Sequence, residues 1–562
     1  MKNKNEDLFA TFQNWVLNVS KATNKASLVV NRVLLHCLNN KLPLPDLTDQ
    51  TFFEHCLKVG EANLGESYPI VKTVWKKYFS DYPSIPKFPG DSNVYGKAAK
   101  TYMTNLKNSL TVVFQRRQKK FVRLVCEHHE QDITYCYPLI CAINGWKCTQ
   151  QMPDGFQDFV SKQRRKLGLN EGEILDKAWL NKHLENILRY YHYILKCLHG
   201  RKDIKKFTLA PLSKIKCHFI TIDTRVLWEI LKNLGQIPGI NWEKFQEQRD
   251  TYWKNTFNFK KFPKKKQFSY TIQTDGVSVC AHFLSPKQTT SGNIFHIPQL
   301  PQDQRVIAID PGRTNLMFGI EKLPDGKVVE YRLTRKQYYS QSGFTKGNKK
   351  AKNWTKSLKD EEDVFKLVSL KTIDESKHDE FLRNYLSVYD ALWNEKTKKK
   401  WGRENFRKYC LKQKCLDKFF SSMGGTEENN DFPVIAYGAA KFNPSGKHEL
   451  SVPTTSLSKK CSDFYHTIMV DEFRTTKLCH KCENPISPTS RNVKDRNGEY
   501  SYREVRGLRW CSSTKTCRNF QDRDMNAAQN ILKCFLAGDT RPPKFCRNYG
   551  ETQGKPKSLR IR

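Results

Sequence analysis

Arg305–Asn315, RVIAIDPGRTN, runs through a string of apolar residues into an acid and is then broken by Pro-Gly. A short run rich in β-branched residues and closed by a breaker reads as a strand buried on both faces. Asp310 sits at its very end. Taken alone, an Asp before Pro-Gly is a turn former. It gains a second reading if other acids close neighbouring elements, because hydrolysis of a phosphodiester by two metals needs carboxylates from separate strand ends to hold hard cations ~3.5–4 Å apart.

Downstream, NLMFGIEKLPDGKVVEYRL (Asn315–Leu333) predicts a hairpin turned at Pro324-Asp325-Gly326, so an antiparallel meander opens this domain. After a long basic stretch come the strand FPVIAYG (Phe432–Gly438), the helix TTSLSKKCSDFYH, the strand TIMV and then Asp471-Glu472. These two acids are either a solvated strand end or part of a reaction centre. DRDMNAAQNILKCFL is helical in spacing and Ala content, with Asp522 placed to cap it and Asp524 in its first turn. Asp524 is a second candidate ligand.

Cys479, Cys482, Cys511 and Cys517 form C-x2-C-x28-C-x5-C. Two close pairs can present four thiolates tetrahedrally, as a closed structural zinc site requires, and such a site leaves the metal no open position for chemistry. The remaining cysteines, out of 18, are scattered and predict reduced thiols, not a disulfide framework.

Upstream, residues 1–205 read as mostly helical. Leu106, Leu110, Val113, Phe114, Phe121 and Leu124 recur at a 3.6-residue period, with Arg116, Arg117, Lys119 and Lys120 interleaved as candidate phosphate contacts. Leu184 to Leu198 repeats the pattern and stops at Gly200. Over Phe268–Phe283 the period falls to two, with Asp275-Gly276 as the turn, which predicts a β-rich module over 206–300. KKFPKKK, with Lys264, Lys265 and Lys266, is either a backbone-contacting loop or a nuclear import signal. Residues 346–359 carry six lysines and no acid, and Lys396–Lys418 holds ten Lys/Arg against two acids, interleaved with aromatic residues. Lys399, Trp401 and Arg403 are candidate contacts there, by charge, stacking and cation–π interaction.

The 562 residues carry 96 Lys+Arg against 57 Asp+Glu, a formal charge of +39, which points to a nucleic-acid partner. No run approaches the ~18 apolar residues of a membrane span, and MKNKNEDLFATFQNW has no signal-peptide core, so the chain is expected to be soluble and without a membrane partner.

IAIDPGRTN, the paired cysteines and DRDMNAAQNI, in that order, resemble the split RuvC nuclease domain of the TnpB family of RNA-guided nucleases. TDGVSV, VIAYGAAKFNPSG, VDEFRTTKLCHKC, RGLRWCSSTKTCRNF and RDMNAA resemble more specifically its eukaryotic branch, Fanzor. The likeness is strong over about 265–535. It implies a multidomain α+β chain: a helical recognition lobe (1–205), a β-barrel wedge-like module (206–300), an RNase H-like (RuvC) α/β nuclease domain (301–477 and 520–540) with a basic helical lid (336–430), a four-cysteine zinc finger (478–519) and a basic tail (541–562). It also implies a guide RNA, double-stranded target DNA, two Mg²⁺ for catalysis, one structural Zn²⁺, a nuclear or nucleocytoplasmic location and a monomeric ribonucleoprotein.

In most such proteins the middle acid closes the strand that here ends in Tyr437-Gly438, and no carboxylate stands there. The Fanzor-like subset places a Glu after the following strand, which points to Glu472. Strands ~4.8 Å apart allow the longer acid to reach across, whereas Asp471 is shorter and faces the other way if alternation continues. The resemblance thus assigns Asp310, Glu472 and Asp524 as catalytic Mg²⁺ ligands. Asp522 and Glu449 are the next acids to consider. A decayed nucleic-acid-binding relative and an unguided transposon-associated nuclease are the alternative functions.

Overall fold

The computed structural model describes residues 6–58, 68–79, 92–129, 135–148, 150–201, 203–263, 266–284, 304–424, 432–440, 442, 452–494, 498–513 and 517–546. The chain divides into two compact units, Met1–Lys287 with Ala351–Asn405, and Gln288–Lys350 with Phe406–Arg562. No helix of the described residues is long and apolar enough to cross a membrane.

The first unit is built on the helix Glu6–Asn39. Leu8, Phe12, Trp15, Val19, Ala22, Ala26, Val30 and Val33 recur at helical spacing and are buried. The same helix also buries Ser20, Asn24, Ser27 and Asn31. Their partners are the backbone of an irregular segment: Asn24 donates to Lys214 O, Asn31 Oδ1 accepts from Ala210 N–H, and Ser27 and Ser20 accept from Ser213 and His218 N–H. A buried loop must satisfy its peptide groups, and this polar stripe does so. The apolar periodicity expected across Leu106–Leu124 is present but broken into two helices, Ser92–Thr111 and Phe114–His128, with Val112 76% exposed between them.

Strands β1 (Ile220–Asp223), β2 (Phe268–Thr274) and β3 (Val279–Phe283) form an antiparallel sheet in the order β1-β2-β3. The β2–β3 turn falls at Asp275-Gly276 as expected, but it spans four residues and only Gly276 has positive φ, +82°. Asp275 Oδ1 closes the turn by accepting from the N–H groups of Val277 and Ser278. Three helices, Thr224–Asn233, Trp242–Glu247 and Arg249–Thr256, separate β1 from β2.

In the second unit β4 (Val306–Asp310), β5 (Asn315–Lys322), β6 (Val328–Thr334), β7 (Val434–Gly438) and β8 (Thr467–Val470) make a sheet ordered β6-β5-β4-β7-β8. The first three are the antiparallel meander, turned at Gly326 with φ +82°. β7 adds parallel to β4 and β8 adds parallel to β7. One face packs on residues of Tyr338, Cys415–Met423 and the helix Thr454–Ser462, and the other on the helix Arg523–Leu536. β9 (Ser487–Lys494), β10 (Tyr500–Cys511) and β11 (Asn519–Asp522) form a separate antiparallel sheet, β11-β10-β9.

The expected fold class is corrected by these sheets. A barrel closes only when its last strand pairs with its first, and β1 and β3 both flank β2 in an open sheet, so there is no wedge-like β-barrel among the described residues. The five-stranded sheet is also open, and a meander extended by parallel strands with helices on both faces follows from general layer and crossover rules, so it does not carry the RNase H-like name. The architecture is a multidomain α+β fold of small helical bundles and open sheets. Of the stretch expected to form a lid, 351–405 groups with the first unit. The tail beyond Cys546 lies outside the described residues.

Helix Glu375–Ser387 is tied to helix Glu6–Asn39 through Arg32, which meets Glu375 at 2.7 Å and Asp379 at 2.8 Å. The Arg32 side chain is only 4% exposed, so removing it strands charge in a covered place. Arg32→Met is expected to lower stability in urea titration by about 3 kcal/mol. Arg123→Met, which breaks the exposed Arg123–Glu127 pair, should move it by less than about 1 kcal/mol.

Candidate metal centres

Alternate residues of the three strands β4, β7 and β8 face opposite layers. Ile307, Ile309, Ile435, Tyr437 and Met469 look to one, and Ala308, Val434, Ala436 and Val470 to the other. Continued by one step, the alternation puts Asp310 and Gly438 on the face covered by helix Arg523–Leu536. Because the three strands run parallel, their C-terminal ends share one edge. Asp310, Gly438 and Glu472 meet there.

Asp310 is 5% exposed. Burial raises its pKa well above the ordinary carboxylate value, the charges of Glu472 and Asp524 raise it further, and Arg523 opposes them. Glu472 lies two residues beyond the end of β8. Burial pushes its carboxyl up to about 7; the Ala440 N–H, donating at 2.9 Å, works against this, and Asp471 works with it. A Cβ added to Gly438 would overlap the Glu472 carboxylate, lying 2.7 Å from its Cδ and 2.8 Å from Pro311 Cδ. The Glu472 carboxyl group therefore occupies the space that a side chain at the end of β7 would need.

Asp524 stands in the first turn of its helix, and Asn315 Nδ2 donates to its Oδ2 at 2.7 Å. Asp522 is the cap, as its position predicts: its Oδ1 accepts from Asp524 and Met525 N–H, both at 2.9 Å. Asp471 is buried, and its carbonyl accepts from Arg541 at 2.7 Å. Glu449 lies outside the described residues.

Among the described residues, the group of three or more His, Cys, Asp or Glu whose ligand atoms all lie within 4.8 Å of one another is Cys479, Cys482, Cys511 and Cys517, and this cluster can hold a metal ion. Asp310, Glu472 and Asp524 are spread more widely than that; two cations ~3.5–4 Å apart also span more than one ion does. Cys479 and Cys482 lie in a tight turn in which Glu483 N–H donates to Cys479 O and Cys479 N–H to Asn484 O. Cys511 ends β10, and Gln521 of β11 donates its Nε2 to Cys479 Sγ at 2.9 Å. Burial raises the Cys482 thiol, but hydrogen bonds from Ser513, the Asn484 backbone and the neighbouring cysteines outweigh it and bring it down to about 6.

The candidate nucleic-acid contacts separate into groups. Arg116 and Lys119 are exposed on helix Phe114–His128. Arg117 is half-buried, its guanidinium over the rings of Tyr191 at 4.5 Å and Phe207 at 4.2 Å, so it packs the helix instead of facing a phosphate. Lys120 donates to Lys205 O at 3.2 Å. Lys266, Lys399 and Arg403 are exposed, while Trp401 is half-buried edge-on against Trp354. Lys264 and Lys265 lie outside the described residues.

Sequence reasoning missed Asn315, Asn526 and Asn530. The last two were detectable: Asn is a poor residue for a helix interior, and a pair spaced i, i+4 in NAAQN marks a face with polar work to do.

The raised Glu472 carboxyl has a pH consequence. The unfolded chain ionises near 4.5 and the folded protein near 7, so the folded state holds the proton more tightly and this stabilisation is lost as pH rises from about 4.5 through about 7. Scanning calorimetry in chelator should show the unfolding temperature of the second unit falling across that window, and Glu472→Gln should flatten the fall.

A family model described as a domain of unknown function (DUF8286) matches residues 220–285, which run from β1 to just past β3. Comparison with curated proteins finds none that matches the chain.

Proposed function

We propose that this protein is an RNA-guided DNA endonuclease of the TnpB–Fanzor kind, which cuts DNA by two-metal-ion phosphodiester hydrolysis at Asp310, Glu472 and Asp524. The observation that carries the reading is the Glu472 carboxylate lying over Gly438, where a side chain closing β7 would otherwise stand. This supplies a third acid beside Asp310 in a chain whose β7 ends without one. The donor set suits hard cations: all three ligands are carboxylates, and the mutual repulsion that raises Asp310 marks a site short of positive charge. Bound there, a pair of Mg²⁺ would activate water and stabilise the leaving oxygen.

The chain's own groups set the conditions for that chemistry. The Ala440 N–H fixes one oxygen of Glu472, and Asn315 fixes one oxygen of Asp524, so each acid presents a defined lone pair. Burial at the strand ends limits water and strengthens each charge interaction. Elsewhere, the formal charge of +39 suits a guide–target heteroduplex gripped by its backbone, with base pairing supplying sequence. The reading includes double-stranded target DNA, a nuclear location and a monomeric particle.

The cysteine cluster is read as a structural Zn²⁺ site. Tetrahedral thiolates on zinc stand about 3.8 Å apart for Zn–S bonds near 2.3 Å, and the Cys482 and Cys511 sulfurs are 3.6 Å apart. Cys511→Ser should lower bound zinc, measured by atomic absorption, and loosen β9–β11 to proteolysis. Full zinc occupancy in that variant would refute the ligand set.

The function is tested by sequencing the RNA that co-purifies with the protein and assaying cleavage of DNA matched to it, with Mg²⁺. One dominant structured RNA and cleavage of matched DNA are expected. Glu472→Gln, Asp310→Asn and Asp524→Asn should each abolish cutting while keeping RNA and DNA binding, and pairs of them should add little further loss. Asp471→Asn should be milder. Random RNA fragments would sink the guided reading; a defined RNA with no cutting of any matched DNA would favour a binding protein with a decayed site.

A further inference from the structure

The first unit holds a cavity where the β2–β3 turn meets the helices Glu6–Asn39 and Lys399–Ser421. It encloses about 540 Å³ counting its open mouth, room for a planar ring system and not merely for one ion. The turn approaches closely on both sides. A Cβ on Gly276 would touch Gln13 and Val16 at 3.9 Å, and one on Gly402 would strike Val277 at 2.8 Å.

Two hydrogen-bond donors in the lining, Gln13 Nε2 and Trp401 Nε1, are buried and have no partner. Buried donors are normally satisfied, and leaving two unsatisfied at one cavity opposes folding unless something else meets them. The cavity also presents an acceptor. Asp275 is 7% exposed, and its hydrogen bonds to the turn, from Val277 N–H, Ser278 N–H and Ser278 Oγ, all end on Oδ1. Oδ2 is left on the side of Gly402, 3.6 Å from where a Cβ would stand. Val16, Leu17 and Val277 supply apolar wall, and Lys216 and Lys399 are exposed on the rim.

We infer that this cavity is a nucleotide-binding site, in which one unstacked nucleobase of a single strand enters between the apolar walls with its edge hydrogen-bonded to Gln13, Trp401 and Asp275, while its phosphate meets Lys216 and Lys399. The match is chemical. A nucleobase carries donors and acceptors in one plane between two apolar faces, and its phosphate is drawn by the rim charge. An anion alone would leave Asp275 Oδ2 facing it, and an apolar ligand would leave all three polar groups unmet. The inference does not rest on the proposed cleavage, because the cavity and the three acids belong to different units.

The test uses the full chain stripped of nucleic acid by high salt and nuclease. Its affinity for AMP, GMP, CMP, UMP and ribose 5-phosphate is measured by calorimetry at one fixed ionic strength. These probes share a charge, so a contrast between them reports the base. At least one nucleotide should bind about tenfold more tightly than ribose 5-phosphate, the size of a satisfied buried hydrogen bond. Gln13→Leu and Trp401→Phe remove the donors while keeping the packing, so each should erase most of that preference without lowering the ligand-free unfolding temperature. Equal affinity for all five probes would leave only rim charge and overturn the site. A preference untouched by both variants, or a fall in unfolding temperature without ligand, would show that the donors serve water or packing. Glu472→Gln should not alter the preference, so failure here and failure of the cleavage reading remain distinguishable.

Discussion

The second unit depends on one polar face of the helix Arg523–Leu536. Thr475–Glu483 contains no helix and no extended strand, yet it joins the end of β8 to the first cysteine pair. Asn526 and Asn530 donate to Thr475 O and Leu478 O, Asn526 Oδ1 accepts from His480 N–H at 2.8 Å, and Lys533 donates to His480 O and to Glu483. Three side chains at i, i+4 and i+7 thus hold a buried loop whose own backbone cannot. The loop begins immediately after Glu472, and the helix begins with Asp524. The same contacts that seat the cysteine turn therefore fix the spacing between two of the three acids.

The first unit uses the same device with other residues. Ser20, Asn24, Ser27 and Asn31 form a polar stripe on an otherwise apolar helix and satisfy the backbone around Ala210–His218. In both units, irregular chain is buried at a helix, and the helix gives up some propensity in Asn and Ser to hold it. Buried polar networks of this kind fix one arrangement more tightly than apolar packing does, because each group that loses its partner is costly.

Much of this was legible in the sequence, for physical reasons that also mark where legibility ends. The apolar runs before Asp310 and Gly438 located β4 and β7, since a strand buried on both faces leaves a continuous apolar signature. Asp522 was recognisable as a cap, and the hairpin turns lay at Asp275-Gly276 and Pro324-Asp325-Gly326, because both features are local. The four cysteines converge as their spacing suggested. Barrel closure was not legible, because whether β1 and β3 pair is decided by distant register and by the helices between β1 and β2. Nor was the fate of Arg117, whose charge reads as a phosphate contact until Tyr191 and Phe207 are seen beneath it. The position of Glu472 was reached through strand geometry, but the vacancy at Gly438 that admits its carboxyl group appears only in three dimensions.

Gly438 and Glu472 share one volume, so the two positions are not free to vary separately. A lineage that moved an acid from the end of β7 to the end of β8 would have to empty the first place before filling the second, or pass through a form in which the two side chains collide. The order of those two steps is therefore set by sterics: glycine first, at the cost of an acid, and the glutamate afterwards. Among relatives of this chain, residue identity at the two sites should behave as a single coupled character with two allowed states, and a carboxylate at both sites should be the combination that is avoided.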